Sequence, residues 1–442
     1  MKTKNIKILN ELGEKWLYWG EYNMLFKYSK ELEEFIIHFS HNENAENSIN
    51  EATNSLYNEI SRIEERRKEL HESMTLKNEN GEMKARWLRG VLLEVSNDCN
   101  LRCVYCYGQG GSYGTSRSLM TEDTLVKALQ YCFERFEPGK QISIVFFGGE
   151  PLFNVGIIYK AVAMINEFAI SNGNEINYSI TTNGTILNDE LIDFFIKNKF
   201  RITISIDGGK EIQNTNRPFS SGADSFSVIE NNINKLLKNK IYPVARITLT
   251  KSNINNLVKA VKEIWELGIH SVTFETVSTD DLSLSLSVED VELFKKQIQK
   301  LSLITYENIL NNRPEKFKKV LDYAADVKNV KLGQFCSFSS QKAIVIDSKG
   351  ELYKCHRMLG EKEFCVGNIE NDVNLKKFEL DRNYLSACSS CWAKNLCSQC
   401  AQENYTYTGE VTKPDSVRCE LKKIVIEEGI KMYIKLNHGL NS

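Results

Sequence analysis

Three cysteines lie close together in the chain, and their spacing favours metal binding. Cys99, Cys103 and Cys106 form a CxxxCxxC pattern in the segment NDCNLRCVYCYGQGG. Three thiolates on one short loop can hold three irons of a [4Fe-4S] cube, which leaves the fourth iron open or ligated from elsewhere. Tetrahedral zinc is the structural alternative, but zinc prefers paired CxxC knuckles, and this set has no fourth Cys or His nearby. An open iron would be a reaction site.

A second group of cysteines lies near the C-terminus. Of the 12 cysteines, eight fall between positions 336 and 419, namely Cys336, Cys355, Cys365, Cys388, Cys391, Cys397, Cys400 and Cys419. Cys132 stands apart, and its helical spacing from Leu125, Leu129 and Phe136 predicts core packing. The start, MKTKNIKILNELGEKW, has no hydrophobic signal core, so we expect a reducing cytoplasmic location, where clustered cysteines more often bind metal than form disulfides.

The composition excludes several classes of protein. A chain of 442 residues exceeds one hydrophobic core, and 42% hydrophobic with 26% charged residues is typical of a packed globular protein with several domains. The net charge of -2 gives no long-range attraction for nucleic acid or an anionic membrane. No apolar run approaches the roughly 20 residues needed to span a bilayer. Only six His and no HExxH or GxSxG signature disfavour a hydrolase.

Alternating strand and helix patterns must position the first cysteine loop. Six apolar runs are predicted as strands buried on both faces: GVLLEVS, ISIVFFGGEP, INYSITTNG, RITISIDGG, PVARITLT and SVTFETVS. Helical spacing between them predicts right-handed βα units, which form either an open parallel sheet or a partial barrel. Function on such scaffolds lies at the C-terminal strand ends, and the first four ends here carry the cysteine loop and three glycine-containing turns.

These strand ends resemble the radical S-adenosylmethionine (SAM) superfamily, whose CxxxCxφC signature has an aromatic residue at φ, here Tyr105. The resemblance spans about Gly90 to Ile304 and implies an α/β fold with a partial (β/α)6 TIM-like barrel. In this family SAM chelates the open iron, and its cleavage gives a 5'-deoxyadenosyl radical. The resemblance implies SAM contacts at Gly148, Gly149, Glu150 and Pro151 in GGEP, Asn183 in TTNG, Ser205 and Asp207 in SIDG, and Arg217 in NTNRP.

The C-terminal cysteines resemble the SPASM extension of radical SAM peptide-modifying enzymes, which holds two auxiliary [4Fe-4S] clusters. By position the resemblance assigns Cys388, Cys391, Cys397 and Cys419 to the outer cluster, and Cys336, Cys355 and Cys400 to the inner cluster. Cys365 is then left over. The count of eight cysteines favours it as the fourth inner ligand, but fully ligated relatives place that cysteine elsewhere, so we favour an open inner iron. The total expected is three [4Fe-4S] clusters and SAM.

The patterns and the resemblance together divide the chain into five segments. We expect a small N-terminal α/β domain with a charged connector at 1–88, the radical SAM core at 89–310, a linker at 311–334, the SPASM domain at 335–420 and a C-terminal helix at 421–442. The resemblance implies that the first segment is winged-helix-like and binds the leader of a precursor peptide by adding a strand to its sheet edge. A simple capping helix pair is the alternative.

The function implied by the resemblance is peptide maturation. The segment CHRMLGEKEF around Cys355 resembles peptide-crosslinking maturases of the SCIFF, ranthipeptide and sactipeptide type. Such an enzyme abstracts hydrogen from a ribosomally made precursor peptide and joins that carbon to a cysteine sulfur as a thioether. Its partners would be the leader and cysteine-containing core of the peptide, and a reductant such as flavodoxin or ferredoxin. The alternatives are formylglycine formation of the sulfatase-maturating type, carbon-carbon crosslinking or epimerisation, and a non-enzymatic iron-sulfur electron carrier.

Overall fold

The computed structural model describes residues 5–40, 51–74, 87–328, 342–371, 374, 386–397 and 400–439; Cys336 lies outside these ranges. The strands are β1 (Ile6–Glu11), β2 (Glu14–Trp19), β3 (Met24–Lys27), β4 (Gly90–Ser96), β5 (Gln141–Gly148), β6 (Glu175–Thr182), β7 (Arg201–Ser205), β8 (Val244–Leu249), β9 (Ser271–Thr276), β10 (Lys316–Phe317), β11 (Ala343–Ile346), β12 (Glu351–Tyr353) and β13 (Cys365–Asn368). The helices are α1 (Lys30–Ser40), α2 (Glu51–Met74), α3 (Glu122–Phe133), α4 (Val155–Asn172), α5 (Asp189–Lys197), α6 (Lys210–Asn216), α7 (Phe226–Lys238), α8 (Leu257–Glu266), α9 (Val291–Leu310), α10 (Lys318–Lys328), α11 (Ser386–Ser389), α12 (Ala401–Thr408) and α13 (Ser416–His438).

A parallel sheet forms the centre of the molecule. Strands β4 to β9 pair side by side in chain order, and the full sheet has the order β10-β9-β8-β7-β6-β5-β4-β11-β12-β13. Helices connect successive parallel strands, because a parallel pairing needs a crossover that returns the chain to the same end of the sheet. The predicted α/β fold with a central parallel sheet is confirmed.

Each of these strands buries only one face in the hydrophobic core. In β8, Ala245, Ile247 and Leu249 are at most 1% exposed, whereas Arg246 and Thr248 on the opposite face are half-buried. The prediction of strands buried on both faces is therefore wrong for this strand. The second face carries mostly polar side chains on β7 to β9 and the apolar Val145 and Phe147 on β5. The sheet curves around this face, because Arg357 after β12 reaches Glu275 of β9.

The C-terminal segment extends the sheet instead of forming a separate one. The segment KAIVIDSKGELYKC forms a hairpin of β11 and β12, which pair antiparallel. Strand β11 also pairs in parallel with β4, with Val345 opposite Leu92. The sequence analysis treated these segments as independent, because nothing local in either sequence reveals a pairing over such a distance along the chain.

Two predicted boundaries differ from the structure. The segment predicted as a linker, 311–334, contains β10 and α10, and Phe317 of β10 is fully buried. Strand β10 has two residues and pairs with β9, so it was too short to leave a periodic pattern. Helix α13 begins at Ser416, where the Asp415 carboxylate accepts the Arg418 amide (2.9 Å), so the helix includes Cys419 and starts before the predicted residue 421.

Within the residues that the structure describes, one helix meets the length and composition expected of a membrane span, which the sequence analysis did not anticipate. It covers Pro151–Asn172 and includes α4, which connects β5 to β6. Ile158, Ala161 and Ile165 of α4 are fully buried in the central core. Packing against the sheet explains the apolar composition of this helix.

A three-stranded antiparallel sheet precedes the central sheet in the chain. Its strands lie in the order β1-β2-β3, and α1 and α2 cover it through a core that includes Trp19, Phe35 and Ile60. The other face of the small sheet packs on α13 and on the loop between Cys391 and Cys397, through side chains that include Trp16, Tyr18, Ala393, Leu396 and Ile430.

The contact with that loop is close enough to require glycine at position 20. The Asn395 side-chain amide donates to the carbonyl oxygens of Gly20 (2.6 Å) and Glu21 (2.7 Å). The Glu21 carboxylate forms an ion pair with Lys394. A Cβ atom on Gly20 would overlap the backbone carbonyl of Trp392. Backbone on both sides leaves no flexible side chain to move aside.

We therefore expect Gly20→Ala to destabilise the protein. Forcing a methyl group into a filled contact typically costs about 1–3 kcal/mol, and both touching groups here are backbone. Urea unfolding of the anaerobically purified protein measures the effect. Gly156→Ala is the control, since an added Cβ there meets nothing within 4 Å. Equal stability of the two variants would contradict the contact.

Candidate functional site

The loop that follows β4 brings the first three cysteines to the C-terminal end of the parallel strands. The Arg102 guanidinium donates to the carbonyl oxygens of Cys99 (2.6 Å) and Leu101 (2.8 Å), and the Cys106 amide donates to the Cys103 carbonyl (3.1 Å). The charge of Cys103 raises the pKa of Cys99, and that of Cys106 raises the pKa of Cys103, so the three thiols lie within electrostatic reach of one another. The structure thus brings together the three cysteines that the sequence singled out.

Each of the three sulfur atoms faces an N–H group. The Leu101 amide donates to the Cys99 sulfur (3.4 Å), the Gly110 amide donates to the Cys106 sulfur (3.3 Å), and Arg217 Nη1 lies 4.0 Å from the Cys103 sulfur. Such donors stabilise negative charge on sulfur and are typical of iron-sulfur ligands.

Burial keeps the thiols of Cys99 and Cys103 neutral unless a cation binds them. It raises the pKa of Cys99 to about 12 and that of Cys103 to about 11. A bound metal supplies the positive charge that deprotonates such thiols. Among the residues that the structure describes, no three Cys, His, Asp or Glu side chains converge on one point suitable for a single ion. A four-iron cube places its thiolates at separate corners, so the donor set fits that group.

The turn at Gly148 and Gly149 packs directly on the cysteine loop. The Gly149 amide donates to the Ser96 carbonyl and the Glu150 amide to the Asp98 carbonyl, both at 2.8 Å. A Cβ on Gly148 would overlap the Ser96 carbonyl, and one on Gly149 would overlap the Asp98 carbonyl. Only glycine permits two backbones to approach so closely. The turn after β5 therefore fixes the start of the cysteine loop.

The Glu150 carboxylate joins the second and third strand ends. It is fully buried and accepts hydrogen bonds from the Asn183 amide (2.7 Å), the Thr182 hydroxyl (2.8 Å) and the Leu152 amide (3.1 Å). The bond to Leu152 caps the short 3-10 helix Pro151–Asn154. Burial raises the pKa of Glu150 to about 7, while these donors oppose the rise. The structure gives this side chain a positioning role.

Asn183 connects the third strand end to the cysteine loop. Its side-chain amide donates to Asn100 Oδ1 (2.8 Å) and lies 3.6 Å from the Cys99 sulfur. The side-chain oxygen Oδ1 of Asn183 accepts from the Thr185 amide (2.9 Å) and hydroxyl (2.6 Å). Asn183 thus borders the loop directly, whereas Ser205 at the end of β7 lies half-buried on the interior face.

A buried network surrounds Asp207. Its Oδ1 accepts from Arg217 Nη2 (3.0 Å) and the Thr248 amide (2.9 Å), and its Oδ2 accepts from Asn216 (3.1 Å) and from the Tyr105 hydroxyl. Asp207 is 0% exposed and both of its carboxylate oxygens accept hydrogen bonds from the protein, and the cofactor contact that the resemblance implied stays a prediction. Asp207 instead holds Tyr105 and Arg217 next to the cysteines.

Arg217 lies between this network and the first cysteine loop. Its guanidinium sits 5.3 Å from the centre of the Tyr105 ring and donates to the Thr248 hydroxyl (3.2 Å). Its Nε is buried and has no partner within the described part of the chain. Most N–H groups of Arg217 therefore donate to protein groups, and Nε is the one without a partner among the described residues.

The four cysteines assigned to an outer cluster lie together. Burial raises the pKa of Cys397 to about 12; Lys422 lowers it, and the thiols of Cys419, Cys391 and Cys388 raise it. These four side chains come from α11, the loop after it and α13. Their proximity agrees with the spacing argument, and the binding of a cluster there stays a prediction.

Of the inner set, Cys355 and Cys400 are described and Cys336 is not. Cys355 is buried in a cluster that also contains Ala401, the residue after Cys400, and Cys365 packs against the edge of this cluster. Arg357 Nη1 lies 4.0 Å from the Cys400 sulfur. Cys365 pairs with Tyr353 across β12 and β13, and its thiol donates to the Gly367 carbonyl (3.2 Å). Cys132 is fully buried in α3, as predicted.

The sequence analysis missed a group of charged residues inside the curved sheet. Arg246, Glu275, Lys319 and Arg357 face one another there, and burial raises the pKa of Glu275, while Lys319, Arg357 and Arg246 lower it to about 2. Lys319 Nζ lies 2.6 Å and Arg357 Nη2 3.9 Å from that carboxylate. The available signal was the polar residue at every second position in VARITL and SVTFET.

Comparison with known proteins finds a family match over part of the chain. Residues 93–264, from β4 to α8, match the sequence profile of the Radical SAM superfamily. This part of the chain is similar to that superfamily, whose members use a [4Fe-4S] cluster and SAM. The match and the sulfatase-maturating relatives indicate an enzyme, which disfavours the alternative of a non-enzymatic electron carrier.

Several known proteins resemble most of the chain. A cysteine-type anaerobic sulfatase-maturating enzyme of Clostridium perfringens is 25% identical over 326 residues, which cover 70% of this chain and 85% of that enzyme. The structure of native anSMEcpe with bound AdoMet superposes with a TM-score of 0.65 at 23% identity, covering 79% of this chain and 99% of the other. Streptococcus suis SuiB bound to its precursor peptide SuiA gives a TM-score of 0.53 at 15% identity, covering 94% and 99%.

The role of Glu150 in this radical SAM domain leads to a prediction. Glu150→Gln replaces one acceptor oxygen by an amide donor among three donor groups, so at least one hydrogen bond is lost in a fully buried place. We expect a loss of about 1–3 kcal/mol in unfolding free energy and weaker SAM binding, measured by urea unfolding and by equilibrium dialysis. Exposed Glu134→Gln is the control, and wild-type values for both quantities in Glu150→Gln would refute the positioning role.

Proposed function

We propose that this radical SAM enzyme modifies a ribosomally made precursor peptide and forms a thioether between a carbon of the peptide and a cysteine sulfur. The supporting observation is that Tyr107, which follows Cys106 in the chain, lies within electrostatic reach of both cysteine sites. Burial raises the pKa of Tyr107. The charges of Arg357 and Arg246 lower this pKa, whereas Cys106 of the first loop and Cys355 of the inner set raise it. A peptide between these sites would present its C–H bond to one and its thiol to the other.

The protein residues prepare this space for the reaction. The cluster and SAM, when bound, supply the radical that removes a hydrogen atom from the substrate. Cys99, Cys103 and Cys106 would hold that cluster, while Gly148 to Glu150 and Asn183 fix the loop geometry. Tyr105, Asp207 and Arg217 form a buried wall next to the loop. A radical reacts with almost any neighbour, so rigid walls and the exclusion of water are what the protein must contribute.

We also propose the organisation that the sequence suggested. Residues 89–310 would form a partial (β/α)6 barrel, and the cysteines from Cys336 to Cys419 would form a SPASM domain with two auxiliary [4Fe-4S] clusters. The outer one would be held by the four neighbouring thiols of Cys388, Cys391, Cys397 and Cys419. The enzyme would act in the cytoplasm with a flavodoxin or ferredoxin as reductant.

The N-terminal sheet offers a place for the peptide leader. Strand β3 pairs only with β2 within the described residues, so Met24–Lys27 form a sheet edge that can accept an added strand. The structural similarity to SuiB bound to its precursor peptide covers 94% of this chain, and therefore most of this N-terminal part. Segment 1–88 would therefore recognise the leader.

Formylglycine formation is the second candidate function. It is favoured by the 25% identity to the cysteine-type sulfatase-maturating enzyme. The two reactions share the first cluster and SAM, and they differ in the fate of the substrate cysteine. A thioether keeps the sulfur in the peptide, whereas formylglycine exchanges it for an aldehyde oxygen.

The mass of the product distinguishes these reactions. We expect a cysteine-containing peptide encoded beside this enzyme, after co-expression, to become lighter by a pair of hydrogen atoms for each thioether formed. Replacement of sulfur by oxygen with the same loss of hydrogen would establish formylglycine instead.

The triple replacement of Cys99, Cys103 and Cys106 by Ala should abolish 5'-deoxyadenosine formation, and persistence of that product would remove the proposed role of the loop.

Cys365 provides a test of the inner cluster. Its thiol donates to the carbonyl of Gly367 on its own strand, which supports a role outside the ligand set. We expect the reconstituted protein to carry about twelve irons in three clusters and Cys365→Ala to keep all of them. The control is Cys397→Ala, which should lose about one cluster. A similar loss in Cys365→Ala would make Cys365 the fourth inner ligand and close the inner iron.

A further inference from the structure

One cation in the interior of the curved sheet has no direct anionic partner. The Arg246 guanidinium forms no hydrogen bond and no ion pair with the parts of the chain that the structure describes, whereas its backbone carbonyl accepts from the Ile206 amide (3.2 Å). Its pKa is lowered by burial; Glu275 and Tyr107 oppose this shift, while Arg357 and Arg217 add to it. Arg246 is half-buried.

The register of the sheet places Arg246 on the interior face. Arg246 pairs with Ser205 on β7 and with Thr273 on β9. Thr248, two residues further along β8, lies on the same face, since successive residues of a strand point to opposite faces. Thr248 bonds to Arg217 next to the first cysteine loop. Arg246 therefore lines the space beside that loop, among small polar side chains.

The charges around Arg246 do not balance. Glu275 is shared among Lys319 at 2.6 Å, Arg357 at 3.9 Å and, at longer range, Arg246. Arg357 also lies 3.7 Å from Glu403, which in turn forms an ion pair with Lys422. Four cations thus face two carboxylates in this part of the described structure, and Arg246 is the cation without a carboxylate within ion-pair distance.

We propose that Arg246 binds a carboxylate side chain of the peptide substrate, with Arg357 supporting the positive field. This subsite rests on the proposed function, because it assigns a specificity for acidic residues to the peptide site. The planar guanidinium of arginine matches a carboxylate with two parallel hydrogen bonds, which adds direction to the attraction. An acidic residue near the modified position would thus be oriented between the two cysteine sites.

The methionyl carboxylate of SAM has the same chemistry, and the positions of the neighbouring groups favour the peptide. Arg357, which acts on Arg246, lies 4.0 Å from the Cys400 sulfur of the inner set, and Tyr107 is influenced by both Cys106 and Cys355. Arg246 therefore lies between the first loop and the inner set, whereas the turn at Gly148 and Gly149 lies against the first loop.

The test compares two synthetic peptides in the anaerobically reconstituted enzyme with SAM present. The probes are a cysteine-containing tetrapeptide amide with one glutamate and the same peptide with glutamine, and binding is measured by calorimetry. We expect the wild-type enzyme to bind the glutamate peptide at least about tenfold more tightly, as is ordinary for a desolvated charged pair. Arg246→Gln should remove this preference, and Arg246→Lys should retain part of it.

Two controls separate the possible causes. Arg313→Gln alters an exposed arginine after α9 and should keep the full preference. The affinity of Arg246→Gln for SAM should stay within about twofold of wild type. This measurement also shows that the variant is folded.

The proposal is overturned if wild type shows no preference, if Arg246→Gln keeps it, or if that variant loses tenfold or more in SAM affinity. The last outcome would assign Arg246 to the cofactor. The proposed function has a separate readout: a wild-type enzyme that forms no 5'-deoxyadenosine refutes radical chemistry, whatever the peptide preference shows.

Discussion

The site depends on the close approach of two backbones. Residues 96–98 at the end of β4 and the Gly148–Glu150 turn at the end of β5 are joined by amide-to-carbonyl bonds, with no side chain between them. The positions of the residues around the first cysteine loop depend on this contact. Glu150 extends it to the third strand end, and Asn183 extends it back to Cys99. The loop is thus defined by rigid strand ends, which is what a site for short-lived reactive species needs.

Charge is arranged differently in the two halves of the interior. Next to the first loop, Asp207 neutralises Arg217, and the pair is closed off by Tyr105 and Asn216. Further along the sheet, cations outnumber carboxylates, and Arg357 and Lys422 lie near the cysteine thiols of the C-terminal segment. Thiolates with bound iron carry negative charge, so part of this excess has a partner when clusters are present.

The features that the sequence could predict are those that depend on local spacing. The CxxxCxxC loop, the glycine pair and the apolar pattern of each strand from β4 to β9 are each contained in a short stretch of chain. The features that it could not predict depend on distant contacts. Nothing near Asp207 reveals that four donors from different elements occupy it. The two residues of β10 are too few to show a period. The electrostatic environment of Arg246 is set by Glu275 and Arg357, which are distant in the sequence.

The pairing of β11 between β4 and β12 has a consequence for biosynthesis. Until residues 343–346 leave the ribosome, β4 has an exposed hydrogen-bonding edge, although its other neighbour β5 is made early. Unpaired strand edges promote association between nascent chains. The order of synthesis therefore places the completion of the sheet, and protection of the strand that leads into the first cysteine loop, late in translation. Chaperones would have the longest access to this edge.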